Sequence, residues 1–467
     1  MTALHELAAT ELLALYRRRE LSPVEATRAV LERVAAWEPH LHATYALDPD
    51  AALAQARASE ARWLKGEPLG AIDGVPSMLK ENIATLGTPM PLGTAATVLA
   101  PAAIDAPPAA RMREAGAVLL GKTTMPDYGM LSSGLSSFHA LARNPWDLTK
   151  GPGGSSAGAG AGVAAGYGPL HVGTDIGGSL RLPAAWCGIF TLKPSLGRVP
   201  IDPPYAGRAA GPMTRSVADA ALLMQVLAQP DDRDAMSLPA QAIDWLCLGR
   251  DLGGVKIGLL LDAGAGLPVD PEIAAAVRAA ADRYASAGAQ VETMAPFFTR
   301  SMLDGMDAFW RMRSWLDWSA MSQERRAKVL PFIVEWLKGG AQLSGEQVFR
   351  GYSQMAAMRD AAIAAHRPFD FVLSPTAPIA AFRAELASPT DDPQRPLEHI
   401  AFTVPYNMSE QPAASINCGW TRAGLPIGLQ IAGRRHDDLG VLQMARAWEA
   451  LRPAQRPWPE PPAAAPR

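Results

Sequence analysis

Apolar residues change their spacing along this chain, and each change marks a different kind of element. In the opening stretch Val30, Leu31, Val34 and Trp37 recur at helical spacing, which gives one buried stripe. The run is preceded by Ser22-Pro23-Val24-Glu25, a capping box with proline at the first helical position. A second helix is expected from Ala51 to Lys65, broken at Gly66. The texture then changes to short apolar runs punctuated by Gly and Pro. Ala117–Gly121 reads as a strand after a helix ending over Arg111–Ala115, and its unbroken apolar character suits a parallel sheet covered on both faces. Val255–Leu261 predicts a strand, Asp270-Pro271 caps a helix running to about Ala287, and Gln290–Thr293 begins another strand. That is one βαβ unit. Residues 301–365 read as mainly helical. Phe371–Leu373 and Ile427–Ala432 read as late strands, followed by a helix over Leu439–Leu451. The Pro/Ala-rich tail from Pro457 is expected to fray.

Composition narrows the class. With 467 residues, 48% hydrophobic and 19% charged, the chain can bury a large α/β core. A net charge of −3 leaves no basic excess for a nucleic-acid backbone. The three cysteines, Cys187, Cys247 and Cys418, are scattered, so neither a disulfide framework nor a zinc site is expected. The N-terminus lacks a signal-peptide pattern, and the Gly/Ala-rich run Ala157–Ala165 is too short to span a bilayer. A cytoplasmic protein without membrane or nucleic-acid partners is the expectation, monomeric or homodimeric.

The chemistry concentrates in residues 143–200. Pro152-Gly153-Gly154-Ser155-Ser156-Ala157-Gly158 and Gly173-Thr174-Asp175-Ile176-Gly177-Gly178-Ser179 place serines in two separate Gly-rich turns. Glycines before a serine let backbone approach a reacting group. The turn Ile176-Gly177-Gly178-Ser179 could aim several N–H groups at one point, as an oxyanion hole requires. One such turn alone is more often a plain loop; two ending on serine point to catalysis. Lys80 ends the run Gly74-Val75-Pro76-Ser77-Met78-Leu79. Buried there, it would have a lowered pKa and could serve as a neutral base, although a lysine at a strand end more commonly snorkels to water.

Two other motifs compete. Ser77-Met78-Leu79-Lys80 fits S-x-x-K, but no S-D-N or K-T-G accompanies it. Gly154-Ser155-Ser156-Ala157-Gly158 fits the G-x-S-x-G nucleophile elbow, which needs a histidine, and His366, His399 and His436 are available downstream. His139 and His171 flank the segment and are expected to be packed or solvated. No phosphate-binding glycine motif is present. Trp310, Trp315, Trp318 and Trp336 are expected in the core, aromatics at helical spacing usually packing inward.

Taken together, these residues resemble the amidase-signature family over nearly the whole chain. PGGSSAGAGAGVAAG through LKPSLGRVP, within 152–200, is similar to the family's signature block, and ARNPWD (142–147) to its lead-in. GVPSMLKENI resembles the lysine motif, and GKTTMPDYGM the segment before the signature. GPMTRSVADAALLM (211–224), FDFVLSPTAP (369–378) and GLPIGLQIAGRRHDD (424–438) resemble later landmarks.

The resemblance implies a single domain over residues 1–467, built as an α/β/α structure around a large mixed sheet. Its catalytic core covers about 66–225, and a variable helical region covers about 301–365. It implies a histidine-free triad in which Ser179 is the nucleophile, Ser155 the bridging serine on a cis peptide after Gly154, and Lys80 the base. Ile176, Gly177, Gly178 and Ser179 would supply the oxyanion hole, and Gly129 and Met130 would touch substrate. Asp175 and Arg181 are read as a structural pair fixing the turn. No metal or organic cofactor is implied. The expected activity is hydrolysis of a small-molecule amide, carbamate or ester. The Trp- and Met-rich region 301–365 suits apolar or aryl groups. Where the family commonly has Asn-x-x-Gly-x-Pro, Ser409-Glu410-Gln411 departs from it, so the usual backbone course is not carried over there.

Overall fold

The structure, a computed structural model, describes residues 3–462. Eleven strands form one mixed sheet: β1 (Thr44–Tyr45), β2 (Pro76–Lys80), β3 (Val118–Thr123), β4 (Leu170–Asp175), β5 (Phe190–Lys193), β6 (Ala209–Thr214), β7 (Lys256–Leu259), β8 (Gln290–Thr293), β9 (Phe371–Pro375), β10 (Ala413–Trp420) and β11 (Pro426–Gly433). Their order is β1-β3-β2-β4-β6-β5-β10-β11-β9-β7-β8. β2 lies parallel to both β3 and β4, and β7 lies parallel to both β8 and β9; the strands between are antiparallel.

Strand parity assigns the two faces. Leu79, Leu170 and Val172 join the core under the helices Val217–Leu227, Pro271–Ser286 and Asp438–Leu451. Met78 and Met213 face the other way, into clusters with residues of the helix Ala157–Ala165. On that second side the helix Arg181–Cys187 packs over β10 and β11, and the long helices Arg300–Ser319 and Gly345–His366 pack against each other. The architecture is therefore α/β/α, as the resemblance implies.

Most expected elements are present with small shifts. Ser22 Oγ accepts from Glu25 N and Glu25 Oε2 accepts from Ser22 N, closing the capping box of Pro23–Leu41. The second helix starts earlier than expected, at Pro49, because Asp48 caps it through Ala51 N. The unit Lys256–Leu259, Pro271–Ser286, Gln290–Thr293 is a parallel βαβ. One expectation fails within the described tail. Trp458 lies under Arg215, 4.5 Å from guanidinium carbon to ring centroid, Arg33 donates to Pro459 O at 2.7 Å, and Arg33 pairs with Glu460. Those contacts dock the tail as far as Glu460 rather than leaving it frayed.

The helix Ala157–Ala165 is buried at every residue. Its alternating glycines are what let it lie so close to the sheet: a Cβ at Gly158 would fall 2.1 Å from Ala43 O and 2.5 Å from Thr124 N. Backbone cannot retreat as a flexible side chain can, so overpacking here costs about 1–3 kcal/mol or more. Gly158→Ala should therefore lower the urea unfolding free energy by at least that amount. Gly345→Ala, with nothing within 4 Å, should change it by about half a kcal/mol or raise it slightly. Equal effects would contradict this packing.

Candidate active site

β2 and β4 run parallel and end side by side, β2 on Lys80 and β4 on Asp175. The crevice beyond the carboxyl ends of such strands is where α/β sheets place their ligand sites, and here both Gly-rich turns close over it. The Gly154–Ser155 peptide is cis, as the resemblance implies.

Lys80 is fully buried. Its Nζ lies 2.7 Å from Ser155 Oγ and 3.1 Å from Thr174 Oγ1, and no carboxylate pairs with it among the described residues. Burial, followed by the positive charge of Arg208, pushes its pKa down to about 7, against weaker opposing pulls from Asp175 and Glu81. Lys122 and Lys193 are also buried and pushed down to about 7, chiefly by burial. Lys122 is taken up by Ile83 O and Thr85 Oγ1, and Lys193 by Pro194 O. Of these three, Lys80 alone meets a serine on a cavity wall.

Ser179 is partly exposed, and its hydroxyl makes no hydrogen bond among the described residues. The backbone around it is held from behind. Asp175 Oδ1 accepts from Gly178 N at 2.7 Å and Oδ2 accepts from Leu180 N at 3.1 Å. Arg181 grips the same carboxylate through Nε and Nη2, both at 3.0 Å. It also donates to Thr403 O, Gln430 Oε1 and Asn407 Oδ1, while Asn407 Nδ2 donates to Asp175 Oδ1. Burial alone would raise the Asp175 pKa, but the bidentate guanidinium and Asn407 hold it well below the usual carboxylate range. One carboxylate thus links Gly178 N, Leu180 N and the Arg181 guanidinium.

One detail of the expected oxyanion hole changes. The Gly178 N–H is committed to Asp175, which removes it from the set of donors. The N–H groups of Ile176, Gly177 and Ser179 make no hydrogen bond among the described residues.

Ser179, Ile176, Gly129, Met130, Tyr128, Arg313 and Ile333 border both lobes of one cleft. The smaller lobe, about 90 Å³, is walled by Trp310, Phe332, Trp336 and Ile400. The larger, about 610 Å³, reaches Ser155, Asn82, Thr174, Tyr205, Arg208 and Trp318. Gly129 has a φ of +68°, and a Cβ there would come within 3.1 Å of Ser155 Oγ; glycine is what this close approach requires. The tryptophans expected in the core divide. Trp310 and Trp336 are buried and also wall the small lobe, and Trp318 is half-buried on the large one.

The competing motifs lose their geometry. Ser156 is fully buried, its Oγ 3.3 Å from Thr174 O and 3.4 Å from Thr174 N. His366 lies between Asp370 O and Gln411 Nε2, His399 stacks beside Trp186, and His436 is exposed. None of the three touches Ser156 or borders the cleft. Ser77 Oγ turns back to Val75 O. His139 packs on Glu81, and His171 is buried with Nε2 at Tyr167 O.

Several residues of the site went unassigned from sequence. Thr174 and Asn82 sat inside quoted motifs, yet a strand threonine and a polar residue after a lysine carry no distinguishing signal. Asn407 and Gln430 lie more than two hundred residues from Asp175 in the chain, beyond any local pattern. Glu410 occupies the position of the family's glycine and keeps a positive φ of 63°. The backbone course that Ser409-Glu410-Gln411 put in question therefore keeps the left-handed turn a glycine would make there.

Fold and site together describe an α/β/α enzyme whose serines stand over a buried lysine. The comparisons agree. A family model for amidases matches residues 25–442. The chain is 37% identical over 480 residues to a glutamyl-tRNA(Gln) amidotransferase subunit from Myxococcus xanthus, covering 96% of this chain and 97% of that one. It is 34% identical over 465 residues to an acylamidase of Rhodococcus erythropolis, covering 96% of each. Among solved structures, a bacterial aryl acylamidase superposes with a TM-score of 0.88 at 31% identity, covering 96% of both chains. A 6-aminohexanoate cyclic dimer hydrolase superposes with a TM-score of 0.84 at 27% identity, covering 97% of this chain and 98% of that one. The chain belongs to the amidase-signature family, hydrolases acting on C–N amide bonds. No helix among the described residues is long and apolar enough to cross a membrane.

Removing one member of a buried ion pair strands its partner's charge and costs about 3–5 kcal/mol. Arg181→Met should lower unfolding free energy by that order, measured by urea denaturation. A loss below about 1 kcal/mol would show that the Asp175 network does not hold the turn.

Proposed function

We propose that this chain is a free-standing amidase that cleaves apolar or aryl amides through a Ser179 acyl-enzyme. The observation that carries the reading is the 2.7 Å contact between Lys80 Nζ and Ser155 Oγ, in a cleft that also opens onto the Ser179 hydroxyl. Neutral Lys80 takes a proton from Ser155, which takes one from Ser179, and Ser179 Oγ attacks the carbonyl carbon. The N–H groups of Ile176, Gly177 and Ser179 receive the developing oxyanion, each donor worth about 2.7–4 kcal/mol at the transition state. Ser155 then returns the proton to the departing nitrogen, and water hydrolyses the ester by the reverse relay.

Ser155 borders only the larger lobe, so the departing amine lies there and the acyl group lies in the smaller one. Trp310, Trp336, Phe332 and Ile400 favour an apolar acyl group. Anilides, carbamates and esters pass through the same tetrahedral species and fit the same relay. The similarity to amidotransferase subunits raises a second reading, a protein that works only within a transamidating complex. Against it stands the small lobe, whose apolar walls offer a glutamine side no ion-pairing partner except Arg313.

The purified chain alone should therefore hydrolyse a chromogenic anilide with a kcat/KM at least about tenfold above that for glutamine, a gap of about 1.4 kcal/mol. Ser179→Ala should cut anilide turnover by about a thousandfold or more. A higher kcat/KM for glutamine, or turnover only in the presence of a partner protein, would contradict the proposal.

A further inference from the structure

The larger lobe carries charge that the protein leaves unneutralised. Arg208 and Arg313 both stand on its wall, half-buried. Arg313 makes no hydrogen bond or ion pair among the described residues; its guanidinium lies 4.9 Å from the ring centroid of Tyr205. Arg208 donates to Pro203 O at 2.6 Å and pairs with no carboxylate among the described residues. Three other shielded arginines are matched, Arg62 with Asp73, Arg198 with Asp438 and Arg311 with Asp307, whereas Arg215 donates to Val163 O and Ala164 O and lies over Trp458 instead. Shielded cations left without an anion are costly. The two acidic residues on the lobe do not supply one. Asp175 is committed to Arg181, and Asp317 is exposed and pairs with neither arginine. The arginines also sense each other. Burial, opposed by Asp202 and Asp234 and assisted by the charge of Arg313, lowers the Arg208 pKa to about 10.

We infer that the larger lobe selects amine portions that bear a carboxylate, so that the preferred substrates are apolar N-acyl derivatives of amino acids. The carboxylate sits between the guanidiniums of Arg208 and Arg313, while the acyl group occupies the tryptophan-lined lobe. Arginine suits this task because its planar fork meets a carboxylate with paired N–H donors. The inference rests on the amidase reading and on placing the departing amine beside Ser155. It does not extend to glutamine, whose charged groups would lie on the acyl side.

The test uses N-benzoyl derivatives of ω-amino acids of graded chain length. Each is compared with the amino alcohol in which a hydroxymethyl group replaces the carboxylate, and N-benzoyl aniline serves as the uncharged reference. At low ionic strength the acid of at least one length should exceed its alcohol about tenfold or more in kcat/KM. That ratio should shrink as salt rises towards about 1 M, where charges are screened within about 3 Å. Arg313→Gln and Arg208→Gln, each checked for an unchanged melting temperature, should bring the ratio down about tenfold. Alcohols that match the acids at every length in the wild type would overturn the inference. So would a ratio that survives both substitutions. Turnover of the anilide with no preference for acids would overturn this inference alone, whereas failure to cleave any of the amides would overturn the amidase reading with it.

Discussion

The proposed chemistry depends on one constraint, an amine held in a fully buried crevice where its charge is disfavoured. A lysine in water is protonated and useless as a base. Burial pushes the Lys80 pKa down to about 7, because β2 delivers it into an enclosed space whose polar neighbours are hydroxyls, Ser155 and Thr174, rather than carboxylates. A carboxylate beside it would restore the ammonium. The carboxylate that most opposes this shift, Asp175, is paired with Arg181. In the proposed mechanism the same ion pair would serve two ends: it would anchor the nucleophile's loop and offset a charge that favours the ammonium.

That enclosure is built from glycine. The helix Ala157–Ala165 presses against backbone at Ala43 and Thr124, and the packing is possible only because Gly158 has no side chain. The helix in turn follows directly from Ser155 and Ser156, so the same fit places Ser155, the bridging serine of the proposed relay. On the opposite side, Arg181 reaches Thr403, Asn407 and Gln430, tying the Ser179 turn to β11 and to the short helix Val404–Met408. Residues far apart in the chain therefore converge on one ion pair.

How much of this was legible in the sequence follows from the range of each interaction. Local signals read well: the Ser22–Glu25 box, the βαβ unit from Lys256 to Thr293 and the Gly-rich serine turns are all set within a few residues. The resemblance supplied what local pattern could not, the pairing of Lys80 with Ser155. What stayed hidden depends on contacts between distant segments. Nothing in a Pro/Ala-rich tail announces that Trp458 will find Arg215. Nothing in Asp175-Ile176-Gly177-Gly178 says that the aspartate will take the Gly178 N–H for itself and leave three donors rather than four. Glu410 in a left-handed turn breaks the expected residue type while keeping the backbone, because its neighbours Asn407 and Gln411 are fixed by Asp175, His366 and Gly433. Arg208 and Arg313 look like ordinary surface charges until the fold sets them on one cavity wall.

The pH dependence of kcat/KM for an uncharged anilide tests the lysine base most directly. The free enzyme's Lys80 pKa is lowered to about 7, and in the proposed mechanism the neutral amine is the working form. Wild-type kcat/KM should therefore climb through pH 7 and level off above it. Lys80→Arg, whose guanidinium stays protonated throughout, should be inactive across the whole range while remaining folded. A Lys80→Arg enzyme that keeps near-wild-type rates and an unchanged profile would contradict the account at its centre.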